Sequence, residues 1–307
     1  MDQPLRGKVA LVAGATRGAG RAFAVELARA GAHVYATGRS SRESGRSEID
    51  RPETIEETGD LIAAAGGSGT ALVVDHESPD EVRRLVERIR SDHGRLDVLI
   101  NDVFGGDRYA QWDTPLWEHD LRGGLRMLRM GVDTHLITAH YGIPLVLEGD
   151  GGLVVEVTDG TAEYNASFRA GVGFYYDLVK ANVGRIVLGL THELRDLPVT
   201  ALGVTPGWLR SEGMLDHFGV TEETWREALT KTPGFAISET PTYVARGVAA
   251  LAADPDPSRF AGRVLTARNL ADESDVTDID GSRPDCWGYI DRHGIDEQSG
   301  RGVEEFR

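Results

Sequence analysis

Tyr176 and Lys180 form the strongest candidate catalytic pair in the sequence, because the lysine follows the tyrosine by four residues in a helical pattern. Residues four apart on a helix share one face, so the phenol and the ammonium group are expected to lie side by side. The ammonium group would stabilise a phenolate and lower the pKa of Tyr176 towards a useful range. The pair therefore predicts proton transfer at a substrate oxygen. Tyr175 lacks such a partner, because Val179 stands four residues after it.

A glycine-rich turn after the first apolar run is the second candidate site, with Gly14, Gly18 and Gly20 placed around Thr16 and Arg17. Glycines let the backbone turn sharply and approach a pyrophosphate, and the following helix offers free N–H groups and the positive end of its dipole. The spacing departs from the general dinucleotide fingerprint. We interpret the turn as a phosphate-binding site, and the alternative is a glycine turn without a ligand.

Arg39 and Ser40 follow the second apolar run, at the place where an NAD site has a carboxylate for the ribose 2′-hydroxyl. Arg17 adds a second cation near this position. A guanidinium group binds a phosphate through two hydrogen bonds, whereas a carboxylate would repel it. We therefore expect NADP(H) as the cofactor, with NAD(H) less favoured. The alternative is that both arginines are ordinary solvated surface residues.

Short β-rich runs alternate with helical patterns along the chain, and most of the runs are continuously apolar. Continuous apolar runs are typical of strands that are buried on both faces. The alternation predicts an α/β fold with a Rossmann-type, doubly wound parallel sheet of about seven strands. The predicted strands are Val9–Ala13, His33–Thr37, Ala71–Val74, Val98–Ile100, Leu153–Val157, Val199–Val204 and Val264–Thr266.

Three segments depart from this alternation. Residues 40–52 are polar and predict a surface insertion, and residues 209–240 predict a small helical substrate lobe between the last two strands. We assign residues 1–270 to a single nucleotide-binding domain and 271–307 to an acidic C-terminal extension. The extension is expected to be solvated or to cap a subunit, and its last ten or so residues are expected to fray. An extension that reaches over a neighbour's pocket is the alternative.

The composition argues against several classes of protein. The net charge of −16 disfavours nucleic acid as a partner, because an acidic surface repels phosphate backbones. Apolar stretches fall far short of the ~20 residues that span a bilayer, and no leader pattern opens the chain, so we expect a cytoplasmic protein without a membrane partner. Cys286 is the single cysteine and the histidines lack metal-ligand spacing, so no disulfide and no metal site are expected.

Asp75 after the third run, Asn101 at the end of the fourth and Pro206-Gly207 after the sixth complete a pattern with the glycine turn and the Tyr176/Lys180 pair. In this order the motifs make residues 5–270 resemble the short-chain dehydrogenase/reductase superfamily. The resemblance implies a seven-stranded Rossmann-type sheet, a nicotinamide cofactor and a homodimer or homotetramer. The helices near 120–142 and 173–194 would then pair across a two-fold axis.

The resemblance also implies a role for each matched residue. Tyr176 would be the general acid or base, and Lys180 would bind the nicotinamide ribose and tune Tyr176. Asp75 would meet the adenine, Pro206 and Gly207 would lie beside the nicotinamide, and Asn101 would belong to the cofactor-binding set.

Three departures from the family pattern concern the catalytic centre. The family has Asn-Asn-Ala-Gly after the fourth strand, where this chain has Asn101-Asp102-Val103-Phe104-Gly105. Glu163 stands thirteen residues before Tyr176, where the family has a catalytic serine, but aligning the end of the fifth strand puts Asp159 at that position instead. The family's helix asparagine, which holds a water in a proton relay, aligns near Gly131, so the relay is expected to be altered.

Asp159 admits three interpretations, and the first is a direct catalytic role whose nature depends on its protonation state. Protonated in an apolar pocket, it could donate a hydrogen bond to the substrate oxygen as a serine would, and its replacement by alanine would cut turnover about 10²-fold. Ionised, it would raise the pKa of Tyr176 and oppose negative charge on that oxygen. In the second interpretation Thr158 or Thr161 takes the serine role, and in the third Asp159 has no catalytic role.

The sequence therefore predicts an NADP(H)-dependent oxidoreductase that moves hydride between nicotinamide and a carbonyl or alcohol carbon of a small molecule. Tryptophans in the predicted loops indicate a bulky or aromatic substrate, although ordinary packing explains some of them equally well. The main alternative is an NADP(H)-binding sensor without turnover, which the missing serine favours, and isomerase or dehydratase chemistry on the same scaffold is a third. The tryptophans are Trp112, Trp117, Trp208, Trp225 and Trp287.

Overall fold

A seven-stranded sheet runs through the centre of the computed structural model, which describes residues 3–169 and 171–307. The strands lie in the order β3-β2-β1-β4-β5-β6-β7, and every neighbouring pair is parallel. This confirms the predicted α/β class and the doubly wound parallel sheet. The strands are β1 Val9–Ala13, β2 His33–Gly38, β3 Ser68–Val73, β4 Val98–Asn101, β5 Gly152–Val157, β6 Val199–Thr205 and β7 Val264–Thr266.

Helices cover both faces of the sheet. Those described are α1 Gly18–Arg29, α2 Ile55–Ala64, α3 Pro79–His93, α4 Leu121–Leu128, α5 Thr134–Leu147, α6 Phe174–Leu194, α7 Glu212–Phe218, α8 Pro241–Ala252, α9 Ala267–Ser274 and α10 Cys286–His293. Helices α1, α2, α8 and α9 pack on one face, and α3, α5 and the end of α6 pack on the other.

Alternate residues of β1 pack against opposite helical layers, which explains its continuously apolar sequence. Ala10 and Val12 face the layer that contains α1 and α8, whereas Val9 and Leu11 face the layer that contains α3. Successive side chains of a strand point to opposite faces of the sheet, so a strand with helices on both sides needs apolar residues at every position.

The third strand begins earlier than its apolar run predicts. The run predicted a strand from Ala71, but β3 begins at the exposed Ser68. Backbone pairing with β2 extends from Ser68, opposite His33, to Val73, opposite Gly38. Backbone hydrogen bonding therefore continues through polar residues that an apolar pattern does not register.

The C-terminal extension is ordered to its end, so the prediction of a frayed terminus is wrong. Val303 and Phe306 are buried in a cluster with Ile237 and Tyr289. The guanidinium group of Arg307 donates to the carbonyl oxygens of Ala236 and Ser238, at 2.7 and 2.9 Å. The last residues pack because these apolar side chains and this cation find partners in the segment between β6 and α8.

Within residues 3–169 and 171–307, no helix combines the length and the apolar character needed to cross a membrane. Over those residues, no group of three or more His, Cys, Asp or Glu side chains has the arrangement of a metal site.

Candidate active site

The loops that follow the carboxyl ends of the parallel strands meet at one edge of the sheet, and the predicted site residues lie there. Tyr176 and Lys180 stand one turn apart near the start of α6. The Tyr176 ring contacts Phe104 and Trp112, with ring centroids 5.9 and 5.5 Å apart. Lys180 Nζ lies 3.7 Å from the Phe104 ring centroid and 5.5 Å from that of Tyr176.

The hydroxyl of Tyr176 faces a carboxylate. It donates to Asp159 Oδ2 at 3.4 Å, and Arg169 Nη1 donates to the same oxygen at 3.1 Å. Burial and the negative charge of Asp159 raise the pKa of Tyr176 well above its usual value. The expected lowering of this pKa by Lys180 is therefore wrong in this structure, because the ammonium group lies over Phe104 while the phenol faces Asp159.

The two threonine candidates point elsewhere. Thr158 Oγ1 donates to the backbone carbonyl of Lys180 at 2.8 Å, and Thr161 Oγ1 accepts from the backbone N–H of Tyr164 at 3.1 Å. Glu163, which residue counting alone places at the serine position, is exposed. Of the candidates considered for the serine role, Asp159 is the one that contacts the Tyr176 hydroxyl.

Arg169 is a site residue that the sequence reasoning missed. Its side chain is only 5% exposed, and its guanidinium carbon lies 5.6 Å from the ring centroids of both Tyr164 and Tyr176. Its Nε lies 3.5 Å from Asp177 Oδ1. Among the described residues, neither Nε nor Nη2 has a hydrogen-bond partner. Nothing local in the sequence separates Arg169 from the many other arginines, so no pattern would have found it.

Gly131 has no room for the asparagine that the family pattern places near it. Residues 129–133 form a π-helical turn between α4 and α5. A Cβ atom at Gly131 would lie 2.4 Å from Val179 Cγ1 and 3.0 Å from Phe104 Cδ2. Phe104, itself a departure from the family pattern, therefore occupies the space beside Gly131. The two departures are complementary, and the ring face of Phe104 contacts the ammonium group of Lys180.

The glycine turn has the close approaches that require glycine. Gly14 has φ +89°, and a Cβ atom there would lie 2.3 Å from the carbonyl oxygen of Asp102. A Cβ atom at Gly20 would lie 2.3 Å from the carbonyl oxygen of Gly14. Gly18 begins α1, and its backbone N–H donates to Glu212 Oε2 at 2.9 Å. The start of the helix thus already holds an anionic group, as a pyrophosphate site should.

Six of the predicted cofactor residues line one open cleft beside this turn. Asn101 lies apart from its lining, and its buried side-chain amide donates to Glu156 Oε1 at 2.8 Å. Also absent from the lining are Gly18, Gly20, Lys180, Pro206 and Gly207. The predicted residues that line the cleft are Gly14, Thr16, Arg17, Arg39, Ser40 and Asp75.

Both arginines of the cleft are held by carboxylates rather than by solvent alone. Arg39 lies 3.1 Å from Glu48 and 3.1 Å from Glu77, and Arg17 lies 3.1 Å from Glu53. Hydrogen bonds from the Arg126 guanidinium group lower the pKa of Glu48 to about 2. Glu48 belongs to the predicted insertion at 40–52, so this segment covers the cleft and supplies one of its charges.

Pro206 and Gly207 contact the C-terminal extension and the segment that precedes α8. The Pro206 carbonyl accepts from Trp287 Nε1 at 2.8 Å, and the Gly207 N–H donates to Glu239 Oε1 at 2.9 Å. A Cβ atom at Gly207 would lie 2.4 Å from Cys286 Cβ. Burial raises the pKa of Glu239 to about 8. The C-terminal extension therefore packs directly against the predicted site residues Pro206 and Gly207.

Comparison with known proteins places this geometry among relatives. A family model described as short chain dehydrogenase matches residues 8–218. A mouse (Mus musculus) protein named dehydrogenase/reductase SDR family member 1 is 32% identical over 294 residues, which is 92% of this chain and 86% of that protein. The human (Homo sapiens) protein of the same name is 31% identical over the same shares of the two chains.

A solved structure described as hydroxysteroid dehydrogenase from Escherichia coli is also similar. It superposes with a TM-score of 0.66 at 23% identity, and the match covers 86% of this chain and 98% of that one. At this level of identity, the likeness shows a shared fold.

Proposed function

Because the chain belongs to the short-chain dehydrogenase/reductase family, we propose that it is an NADP(H)-dependent oxidoreductase acting on a bulky or aromatic carbonyl or alcohol. The observation that carries the proposal is the placement of Tyr176 and Lys180, one turn apart on α6, against Phe104, whose ring also lines the nucleotide cleft. A residue set that only bound a nucleotide would have little need of a positioned proton donor there.

The proposed roles follow from the contacts of each residue. The nicotinamide, when bound, supplies or accepts the hydride. Tyr176 gives its proton to the substrate oxygen during reduction and takes one during oxidation. Lys180 would hold the nicotinamide ribose, and its position over Phe104 keeps it close to Tyr176. Asp159 acts within the same centre, since its Oδ2 is the hydrogen-bond acceptor for Tyr176.

The substrate preference rests on aromatic side chains near the phenol. Trp112 is 56% exposed and its ring lies 5.5 Å from that of Tyr176. The rings of Tyr164 and Trp287 also contact each other, with centroids 5.2 Å apart and ring planes inclined by 56°. Phe168, 60% exposed, adds a further apolar face. Such walls favour a flat apolar ligand with few polar groups.

The cofactor preference rests on Arg39 and Arg17 in the cleft. A 2′-phosphate would compete with Glu48 and Glu77 for Arg39, and a guanidinium group binds a dianion more strongly than a single carboxylate. NAD(H) is the second candidate cofactor, favoured by those same two carboxylates. Fluorescence titration with NADPH and NADH separates the two, because tighter NADPH binding supports the proposal and tighter NADH binding overturns the cofactor preference.

A nucleotide sensor without turnover is the second candidate function, favoured by the contact of Asp159 with the proton donor. NADPH oxidation at 340 nm in the presence of aryl ketones and aldehydes distinguishes the two functions. Turnover supports the oxidoreductase, whereas tight NADPH binding without turnover on any of these carbonyl compounds favours the sensor.

We also propose that the chain forms a homodimer or homotetramer through α4, α5 and α6. These helices carry leucines that are about half exposed. Light scattering on the purified protein tests this, and a monomeric mass would contradict it. The leucines are Leu121, Leu125, Leu136 and Leu188.

A further inference from the structure

Two donors converge on one oxygen atom at the catalytic centre. Tyr176 Oη and Arg169 Nη1 lie 3.4 and 3.1 Å from Asp159 Oδ2 and both donate to it. A site that protonates a carbonyl oxygen must aim its proton donor and its stabilising donor at the point where negative charge develops. In this structure the two donors already share such a point, and Asp159 Oδ2 occupies it.

Arg169 is built into the protein as a fixed donor. Its side chain is 5% exposed and lies between the rings of Tyr164 and Tyr176. Its backbone N–H donates to Asp177 Oδ1 at 2.9 Å, which anchors the residue to α6. Among the described residues its Nη2 has no hydrogen-bond partner, and its Nε has only the ion pair with Asp177 Oδ1 at 3.5 Å. Leaving buried charged donors unsatisfied is costly, so a ligand that pairs with them is favoured.

We propose that Arg169 supplies the second hydrogen bond to the reacting oxygen of the substrate, and that Asp159 Oδ2 stands in for that oxygen in the free protein. The inference rests on the proposed oxidoreductase function. It assigns Arg169 the task that a serine hydroxyl performs in the family pattern. The Thr158 hydroxyl donates to the Lys180 carbonyl and the Thr161 hydroxyl accepts from the Tyr164 N–H, whereas Arg169 Nη1 is the group that shares Asp159 Oδ2 with Tyr176.

The difference in exposure between the two residues says which one moves. The Asp159 side chain is 41% exposed and has a path to water, whereas Arg169 is almost completely enclosed. A substrate carbonyl therefore displaces the carboxylate and leaves the guanidinium group in place. During reduction the nicotinamide would supply the hydride that forms the new C–H bond at the carbonyl carbon, the π-electron pair of the carbonyl moves onto oxygen, and the Tyr176 O–H bond breaks as its proton transfers there. Arg169 keeps its protons, because a guanidinium group stays charged in proteins.

The test compares substitutions at the two residues in the full chain, with NADPH and 4-nitrobenzaldehyde as the probe. Arg169→Gln should lower kcat by about 10²-fold, the usual effect of removing one oxyanion donor. Arg169→Lys should retain more activity because it keeps the charge. Arg185→Gln, an exposed arginine on α6, serves as the control and should keep normal turnover. Asp159→Ala should lower KM, since no carboxylate is then displaced, and should lose much less in kcat than Arg169→Gln.

Chemical rescue separates a donor from a structural role. Turnover of Arg169→Ala should rise with added guanidinium chloride and stay low with equal sodium chloride. The inference is overturned if Arg169→Gln turns over normally, or if Asp159→Ala loses about 10²-fold in kcat, the result expected of a donating Asp159. Absence of turnover in the unsubstituted protein would overturn the proposed function and this inference together. The results for the Arg169 and Asp159 variants, in contrast, would overturn the inference alone, so the two failures are distinguishable.

Discussion

On both the nucleotide side and the substrate side of the site, carboxylates of the protein itself contact the donor groups that should bind a ligand. On the nucleotide side, Glu212 accepts from the Gly18 N–H and Glu48 pairs with Arg39. On the substrate side, Asp159 accepts from Tyr176. Each anion or oxygen site is thus complementary to negative charge before any ligand arrives, and binding is an exchange of one acceptor for another.

The two sides differ in what the chain has changed. On the nucleotide side the groups that would bind the pyrophosphate are glycines and backbone N–H groups, and the competing carboxylates include Glu48 of the 40–52 segment and Glu212 of the 209–240 segment. On the substrate side the serine itself is absent, and a buried arginine lies where a donor is needed. A carboxylate from another segment can bind to backbone N–H groups without changing the geometry of the turn. A site made of side chains, in contrast, changes when one of them is replaced.

Gly14→Ala should have the largest effect on the nucleotide side. The new Cβ would lie 2.3 Å from the Asp102 carbonyl oxygen at φ +89°, so the backbone must shift. Strain of about 3 kcal/mol corresponds to roughly 100-fold weaker NADPH binding, measured by fluorescence titration. Gly66→Ala, also at positive φ but with open space around it, should cost only about 1 kcal/mol of stability and leave binding unchanged. Normal binding by Gly14→Ala would break the comparison, since backbone geometry would then not define this side.

Arg39→Ala should weaken NADPH binding about tenfold and leave NADH binding nearly unchanged. The arginine would pair with the 2′-phosphate, and a hydrogen bond to a charged group contributes about 1.5–3 kcal/mol. Arg46→Ala, an exposed arginine of the same insertion paired with Asp50, is the control and should bind both cofactors normally. An equal loss for both cofactors would mean that Arg39 acts through the fold of the insertion.

Glu212→Gln should tighten binding of either cofactor about two- to fivefold. The carboxylate is favoured at the start of α1 by about 0.3–1 kcal/mol, and removal of its charge weakens this competitor. Isothermal titration calorimetry measures the change, with the exposed Glu227→Gln as the control in the same segment. Weaker binding would show that Glu212 assists the nucleotide instead of competing with it.

Glu239→Gln should have the smallest effect on ligand binding. Its effect is instead a change in stability that depends on pH. Burial raises the pKa of Glu239 to about 8, so between its unfolded pKa of 4.5 and pH 8 the folded protein holds a proton that the unfolded chain releases. This contribution to stability is complete below pH 4.5 and is lost as pH rises through 8. The variant should therefore gain several degrees in Tm over the unsubstituted protein at pH 9 and none at pH 5, by about 2–4 °C per kcal/mol. A constant difference in Tm would contradict the assigned pKa.

Local sequence patterns predicted the buried strands and the pairing of residues along a helix, because short stretches of sequence determine these features. The buried strands follow from continuous apolar runs, and the Tyr176/Lys180 pair follows from helical spacing. Arg169 acquires its place through the fold of the irregular segment between β5 and α6, which brings it to Asp159 and Asp177, and no helical or strand spacing marks it. Glu212 acquires its place through a contact with the distant Gly18. The ordered C-terminus was missed for the same reason, because Phe306 is buried by a segment far from it in the sequence.

The most direct test of the account is the initial rate of NADPH oxidation with 4-nitrobenzaldehyde for Tyr176→Phe, with Tyr175→Phe as the matched control. Removing a general acid typically costs about 10²–10⁴-fold in rate, so Tyr176→Phe should lose that much while binding NADPH normally. Tyr175→Phe should turn over like the unsubstituted protein, because its ring packs against Gly124 and His119. Unchanged turnover in Tyr176→Phe would contradict the central claim that this phenol moves the proton.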